Sequence, residues 1–246
     1  MYEKIKSLAK QYYPETVAIR RDLHKYPEQG WLEMRTASLV AKKLEKLGYQ
    51  VLIGKEIMCE EYRMGVPDQE ILESNYQRAI SQGADPYYIK KVKDGFTAVA
   101  GILKNGSGPV VAIRFDMDAL CIEEDDSINH NPGKFGFISC NQGTMHACGH
   151  DGHVAIGLTV AKILSNIKDS IQGTIKLIFQ PAEEGVRGAK SICKSGILKD
   201  VDYIFAGHIW QQEANEDYDI YLGMNETFAT TKLDVIYHGV SSHAAG

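Results

Sequence analysis

Three short apolar runs, each followed by side chains able to bind a metal, constrain the fold of this chain most strongly. The runs lie at residues 110–115, 173–179 and 201–206, and each has the length and apolar character of a strand. An apolar helical pattern at 154–164 separates the first two runs. Because strands that alternate with helices are typical of α/β proteins, the sequence predicts an α/β fold.

Acidic or imidazole side chains follow each of these predicted strands. Asp116 and Asp118 follow the first, Glu183 and Glu184 the second, and His208 the third. Ligands of open α/β sheets gather outside the carboxyl ends of strands, so these side chains are candidates for one site. A solvated pair of loop acids remains an equal alternative for Asp116 and Asp118. Two adjacent glutamates cannot share one direction, which favours one as a metal ligand and the other as a base.

The densest group of potential ligands lies at residues 144–153, which read TMHACGHDGH. Thiolate, imidazole and carboxylate are the groups that bind zinc-like ions, and the two glycines let the chain turn so that neighbours converge. A polar loop with structural histidines is the alternative, which the density of donors disfavours. The sequence therefore predicts a metal site here.

Further elements are predicted from periodicity and from turn residues. Residues 2–26 read as helix, with Pro14 where a second helix begins, and Asn105-Gly106 marks a turn between two adjacent strands. His24 is read as a surface residue or as a neighbour of the site. The other predicted elements are a helix at 33–47, a strand at 49–53, a charge-rich helical insertion at about 55–94 and a strand at 96–103.

Composition narrows the class of protein. The chain has 246 residues, 44% of them hydrophobic, and a formal net charge of -5 with scattered lysines, which disfavours a nucleic-acid partner. Its apolar run at 154–164 is shorter than the roughly 20 residues that span a bilayer, and its first residues lack a signal-peptide core. A cytoplasmic protein without a membrane partner is expected. Five irregularly spaced cysteines do not indicate a disulfide framework.

Five motifs in order resemble the aminoacylase and carboxypeptidase family that uses two metal ions, in the branch of hippurate, auxin-conjugate and aminobenzoyl-glutamate hydrolases. The motifs are RFDMDAL at 114–120, HACGHDGH at 146–153, QPAEEG at 180–185, GHIW at 207–210 and SSHAA at 241–245. The insertion is similar to that of the A-type aminobenzoyl-glutamate hydrolases. The resemblance implies a catalytic domain, with a central mixed sheet flanked by helices, at residues 1–226. It also implies that 227–246 begin an α+β lid domain that dimerises, so the chain is expected to be truncated.

The resemblance also implies roles for individual residues. Glu183 is expected to be the general base, Asp118 a carboxylate that orients the metal site, and His243 a contact to the substrate carbonyl across the dimer. Asp116, His146 and Asp151 lie in or beside the site without separable roles. Two divalent ions, zinc first and manganese second, are expected on Cys148, His150, Glu184 and His208.

The implied activity is metal-dependent hydrolysis of the amide bond of an N-acyl amino acid, with p-aminobenzoyl-glutamate as the first choice. Hippurate or N-acetyl amino acids are the alternative substrates, and a truncated fragment without activity is the alternative outside enzymology. A hydrolase with Cys148 as nucleophile ranks lower because it leaves Glu183, Glu184 and His208 unexplained. The full-length form is expected to be a homodimer or a hetero-oligomer with a related chain.

Overall fold

The computed structural model describes residues 1–209 together with 223, 233, 235–236 and 238–239. The chain divides into two compact units, Met1–Trp210 and Gln211–Gly246. The predicted domain boundary at 226 and His243 both lie outside the described residues. Helices of the first unit are α1 Tyr2–Lys25, α2 Met34–Lys46, α3 Gln69–Ser81, α4 Asn131–Lys134, α5 His150–Asn166 and α6 Ala189–Ser195. Its strands are β1 Gln50–Ile53, β2 Val99–Asn105, β3 Val110–Asp116, β4 Gly173–Gln180 and β5 Tyr203–Ala206.

The five strands form one mixed sheet in the order β1-β2-β4-β3-β5. Strand β3 runs parallel to both β4 and β5, whereas β2 runs antiparallel to β1 and to β4. Because β3, β4 and β5 are parallel, their carboxyl ends lie at the same edge of the sheet. The predicted fold class, a mixed sheet flanked by helices, is confirmed.

The prediction that β2 and β3 are adjacent strands is wrong, because β4 lies between them. The connection at 106–109 passes over the start of β4, where the Thr174 amide donates to the Pro109 carbonyl at 3.0 Å. A Cβ on Gly173 would lie 2.3 Å from that carbonyl oxygen, so only glycine permits the crossing. The connection that begins at Asn105-Gly106 therefore joins strands that are separated by a third strand in the sheet.

Pro14 does not begin a second helix, since α1 is continuous through it. A proline inside a helix removes one hydrogen bond and strains the preceding turn. Contacts with α5 oppose that loss: the Thr16 and Thr159 hydroxyls lie 2.6 Å apart, and Lys162 Nζ is 2.6 Å from Glu15 Oε2. Tertiary packing therefore overrides the local signal.

Helix α5 packs closely on the sheet beneath the site. Leu158 and Ala161 are buried, and a Cβ on Gly157 would lie 2.8 Å from the rings of Phe115 and Phe179. This close approach fixes the height of the helix over β3 and β4, and thereby the position of its first residue, His150. No helix in residues 1–209 combines the length and apolarity needed to cross a membrane.

We expect Gly157→Ala to destabilise the protein by about 1–3 kcal/mol, because the added methyl overpacks the helix against Phe115 and Phe179. Helix propensity alone predicts the opposite sign, a gain of about 1 kcal/mol. Urea denaturation measures the difference, with Ile156→Ala on the exposed face of the same helix as a control expected to stay within about 0.5 kcal/mol. A more stable Gly157→Ala protein would contradict this packing.

Candidate metal centre

The predicted ligands converge where the parallel strands end and α5 begins. Asp116 ends β3, Glu184 lies in the turn after β4, and His208 follows β5. Gly149, with φ 83°, precedes α5 and turns the chain so that His150 enters the same space. The rule that side chains at strand ends gather at one edge therefore holds for this sheet.

His150 lies at the centre of this group and is fully buried. Its Nε2 is 3.8 Å from Asp116 Oδ1 and 3.9 Å from both Glu183 Oε2 and Glu184 Oε1, and neither ring nitrogen has a well-formed hydrogen bond within the described residues. Burial alone would lower the pKa of His150, but Asp118 and the surrounding carboxylates raise it to about 9. A buried imidazole facing four carboxylates is an environment that favours a cation.

Cys148 and His208 close the solvent side of the group. Cys148 Sγ lies 3.4 Å from His208 Nε2, while His208 Nδ1 is 2.7 Å from the Ile209 carbonyl oxygen. Donation from Nδ1 to this carbonyl leaves Nε2 as the nitrogen that faces the thiol. Burial, followed by the charge of Glu184, raises the pKa of the Cys148 thiol to about 12. A divalent cation reverses that effect by stabilising the thiolate.

Two sets of donor atoms among the described residues share His150. One set is Cys148, His150 and His208; the other is His150, Glu183 and Glu184, and within each set the atoms lie within 4.8 Å of one another. All four predicted metal ligands are therefore brought together. A third set adds Asp116 and His153 to His150.

Asp118 holds the backbone of the glutamate turn, which we define as residues 181–188. Its Oδ1 accepts the Glu183 amide proton and its Oδ2 the Glu184 amide proton, both at 2.9 Å. Burial is the main cause that raises the pKa of Glu183, opposed by the Arg114 guanidinium, which lies 3.8 Å from it. A half-buried carboxylate with a raised pKa suits a general base.

Asp116, Asp151 and His146 occupy different positions around this centre. Asp116 accepts a short hydrogen bond from His153 and lies 2.9 Å from Arg114 Nη1. Asp151 faces away from it, with its Oδ2 2.7 Å from His24 Nδ1. In the part of the chain that the structure describes, neither ring nitrogen of His146 makes a hydrogen bond, and burial lowers the pKa of His146 to about 4.

His24 is buried, so its interpretation as a surface residue is wrong. Its Nδ1 lies 2.7 Å from Asp151 Oδ2 and its Nε2 2.8 Å from Glu124 Oε1, and Arg20 Nε is 2.8 Å from the same Asp151 oxygen. His130 also contacts Glu124, at 2.7 Å. The cluster ties α1 and the 121–143 loop to the first turn of α5, one residue after His150.

The insertion also reaches the glutamate turn. Arg187 Nη1 donates to the Gly65 carbonyl at 3.2 Å, and its Nε donates to the Glu184 carbonyl at 3.1 Å. Trp31 Nε1 donates to the Met64 carbonyl at 2.9 Å. The segment at 64–65 is therefore connected directly to the backbone that carries Glu184.

Comparison with known families adds an independent observation. The profile of Peptidase family M20/M25/M40 matches residues 112–241, more than half of the chain. The chain belongs to this family. Membership of this M20 family confirms the resemblance stated from the motifs, and all four predicted metal ligands lie within the matched residues.

Two curated relatives match along almost the whole chain. The chain is 46% identical to indole-3-acetyl-aspartic acid hydrolase of Enterobacter agglomerans over 96% of its length, covering 54% of that protein. It is 44% identical to the A-type polypeptide of p-aminobenzoyl-glutamate hydrolase from Escherichia coli K12 over 98% of its length, covering 55% of that polypeptide. The chain thus spans about half the length of these relatives.

Solved structures of M20 proteins have the same fold. A crystal structure of an aminobenzoyl-glutamate utilization protein from Klebsiella pneumoniae matches with a TM-score of 0.72 and 40% identity, over 84% of this chain and 46% of that one. A dinuclear metal-binding M20 peptidase from Bacillus subtilis matches with a TM-score of 0.59 and 30% identity, over 81% of this chain and 44% of that one.

The His24 cluster predicts a pH dependence of stability. Burial lowers the pKa of His24, but Asp151 and Glu124 together outweigh burial and raise it. Because the folded pKa is raised, the stabilisation is complete below the unfolded value of about 6.5 and is lost as pH rises through the folded value. We expect the unfolding free energy of wild type minus that of His24→Gln to fall with pH in this window, by at most about 1.4 kcal/mol per pH unit.

Urea denaturation between pH 5 and 9 measures this difference. A difference that stays constant across the range would show that His24 is not the titrating group.

Proposed function

We propose that the protein hydrolyses the amide bond of an N-acyl amino acid with two divalent cations held at this centre. The observation that carries the proposal is the convergence of Cys148, His150, Glu184 and His208, with Glu183 beside them. The two donor sets that share His150 provide ligands for adjacent cations. Membership in M20 and the similarity to a dinuclear M20 peptidase support it.

The donor atoms fit divalent metals. His150 is buried with both ring nitrogens outside any well-formed hydrogen bond, and Glu184 Oε1 is likewise buried and unpartnered within the described residues. A thiolate, two imidazoles and a carboxylate favour zinc, and the oxygen and nitrogen donors also suit manganese. We therefore propose zinc first and manganese second.

In this reaction the bound ions would polarise the scissile carbonyl and lower the pKa of water. Glu183 is the residue that takes the proton of the attacking water and returns it to the leaving amine nitrogen. Its half-buried position and raised pKa suit both steps, since the carboxylate must hold the proton between them. Asp118 keeps the two glutamates in place through their amides.

We propose an N-acyl derivative of an acidic amino acid as the substrate, with p-aminobenzoyl-glutamate first. Its support is the 44% identity to the A-type polypeptide of a p-aminobenzoyl-glutamate hydrolase. Indole-3-acetyl-aspartate is the second candidate, favoured by the 46% identity to the hydrolase named for it. Hippurate and N-acetyl amino acids, which lack an acidic side chain, rank lower.

We further propose that residues 1–226 belong to the catalytic domain and that 227–246 begin a second, dimer-forming domain. In that arrangement His243 contacts the substrate carbonyl across a dimer. The similarity to one polypeptide of a hydrolase named for its component chains supports either a homodimer or a hetero-oligomer, and a cytoplasmic location is proposed with it.

Glu183→Gln is expected to lower kcat at least about 100-fold while metal content stays at the wild-type level, because only the proton acceptor is removed. Steady-state kinetics and elemental analysis of the dialysed protein measure both quantities. Cys148→Ala should do the reverse and lower metal content, whereas Cys193→Ala, on the exposed side of α6, should leave metal content unchanged.

Turnover by Glu183→Gln close to wild type would remove Glu183 from the role of base. Full metal content in Cys148→Ala would remove Cys148 from the ligands.

Glutamate release from p-aminobenzoyl-glutamate is expected to exceed cleavage of hippurate by at least about tenfold in kcat/KM, since a polar site discriminates strongly against a substrate that lacks its partner group. Amino-acid release measured in parallel for p-aminobenzoyl-glutamate, indole-3-acetyl-aspartate and hippurate decides the order. Rapid cleavage of hippurate alone would overturn the assignment to acidic amino acids.

A further inference from the structure

Three successive backbone amides of the glutamate turn each donate to a buried carboxylate oxygen. Asp118 accepts two of them, from Glu183 and Glu184. The third, from Ala182, is accepted by Oε1 of Glu33 at 2.8 Å. Glu33 lies 149 residues earlier in the chain, and neither its position nor its neighbours in sequence associate it with the site.

Ala182 has a backbone conformation that needs such a contact. Its φ is 48°, in the left-handed region, which costs a non-glycine residue roughly 1–2 kcal/mol. The same residue is fully buried and its carbonyl accepts the Gly188 amide at 2.8 Å, which closes the turn. A strained residue persists only where its surroundings hold it.

Glu33 is well anchored for this purpose. It is fully buried and precedes α2, and its Oε2 accepts the Thr97 hydroxyl proton at 2.7 Å. The side chain thus joins the α1–α2 connection, the residues before β2 and the turn after β4. Burial, followed by the charge of Asp118, raises the pKa of Glu33 to about 8, so its surroundings accommodate a neutral group of the same shape.

We propose that Glu33 is a positioning residue for the glutamate pair: its hydrogen bond keeps Ala182 left-handed and so sets the directions in which Glu183 and Glu184 leave the turn. Both carboxylates reach His150 from the turn, with Oε2 of Glu183 and Oε1 of Glu184 each 3.9 Å from His150 Nε2. A rotation at Ala182 moves both carboxylates together. The effect on turnover rests on the proposed function, whereas the effect on the turn does not.

Glu33→Ala, Glu33→Gln and Glu28→Ala form the test set. Glu33→Gln keeps an oxygen for the Ala182 amide, whereas Glu33→Ala removes it. Glu28 is the matched control because it is a fully buried carboxylate in the same connection but accepts the amides of Arg35 and Thr36 instead of the turn. Loss of a buried carboxylate is therefore common to both alanine variants, and loss of contact with Ala182 is not.

Amide hydrogen exchange at residues 182–184 is the primary measurement. In Glu33→Ala exchange should quicken at least about tenfold at these amides, relative to the global change reported by β4. With catalysis measured per folded molecule, kcat should fall by about tenfold or more at a KM within about threefold, because a small displacement of reacting groups acts on the chemical step. Glu33→Gln should restore both quantities, and Glu28→Ala should change neither.

Unchanged exchange at 182–184 in Glu33→Ala, or an equal change in Glu28→Ala, would overturn the proposal. Faster exchange with unaltered kcat would overturn the link to the glutamate pair. If the wild type shows no amidohydrolase activity, the exchange result still decides the contact by itself. If Glu33→Ala does not fold, Thr97→Val, which removes only the partner of Oε2, should raise exchange at the same amides to a smaller degree, and unchanged exchange there would overturn the proposal.

Discussion

The carboxylate of Asp118 is the contact on which the geometry of the centre depends. Its two oxygens accept the consecutive amides of Glu183 and Glu184, and its Oδ1 lies 3.5 Å from His150 Nδ1. One side chain thereby joins the segment after β3, the turn after β4 and the start of α5. This is possible because β3 and β4 are parallel neighbours with Asp116 paired to Gln180, so both strands end at the same level.

Electrostatics explain why this arrangement serves a metal. Asp116, Glu183 and Glu184 crowd around His150, and Arg114 lies beside Asp116 and Glu183. Grouped carboxylates in a partly desolvated site raise one another's energy, which is visible in the raised pKa of Glu183 and of Cys148. A divalent cation offsets this repulsion, so the charge distribution favours metal binding more than it favours stability of the protein alone.

Sequence reasoning located the strand ends and the residues that meet there, because strand periodicity and metal-binding side chains are both local signals. It failed for β2 and β3, since the Asn105-Gly106 turn does not reveal that β4 inserts between the strands. It also missed the burial of His24, whose partner Asp151 lies 127 residues away. Such contacts are set by tertiary packing, and no periodicity or spacing along the chain reports them.

X-ray absorption spectroscopy of the zinc-loaded protein tests the proposed centre most directly, because sulfur and nitrogen or oxygen ligands scatter differently. The account predicts one sulfur at about 2.3 Å from zinc with the remaining ligands at about 2.0–2.2 Å, and loss of that sulfur in Cys148→Ser. A shell of only nitrogen and oxygen around stoichiometrically bound zinc, or a sulfur that persists in Cys148→Ser, would contradict a centre built on Cys148, His150, Glu184 and His208.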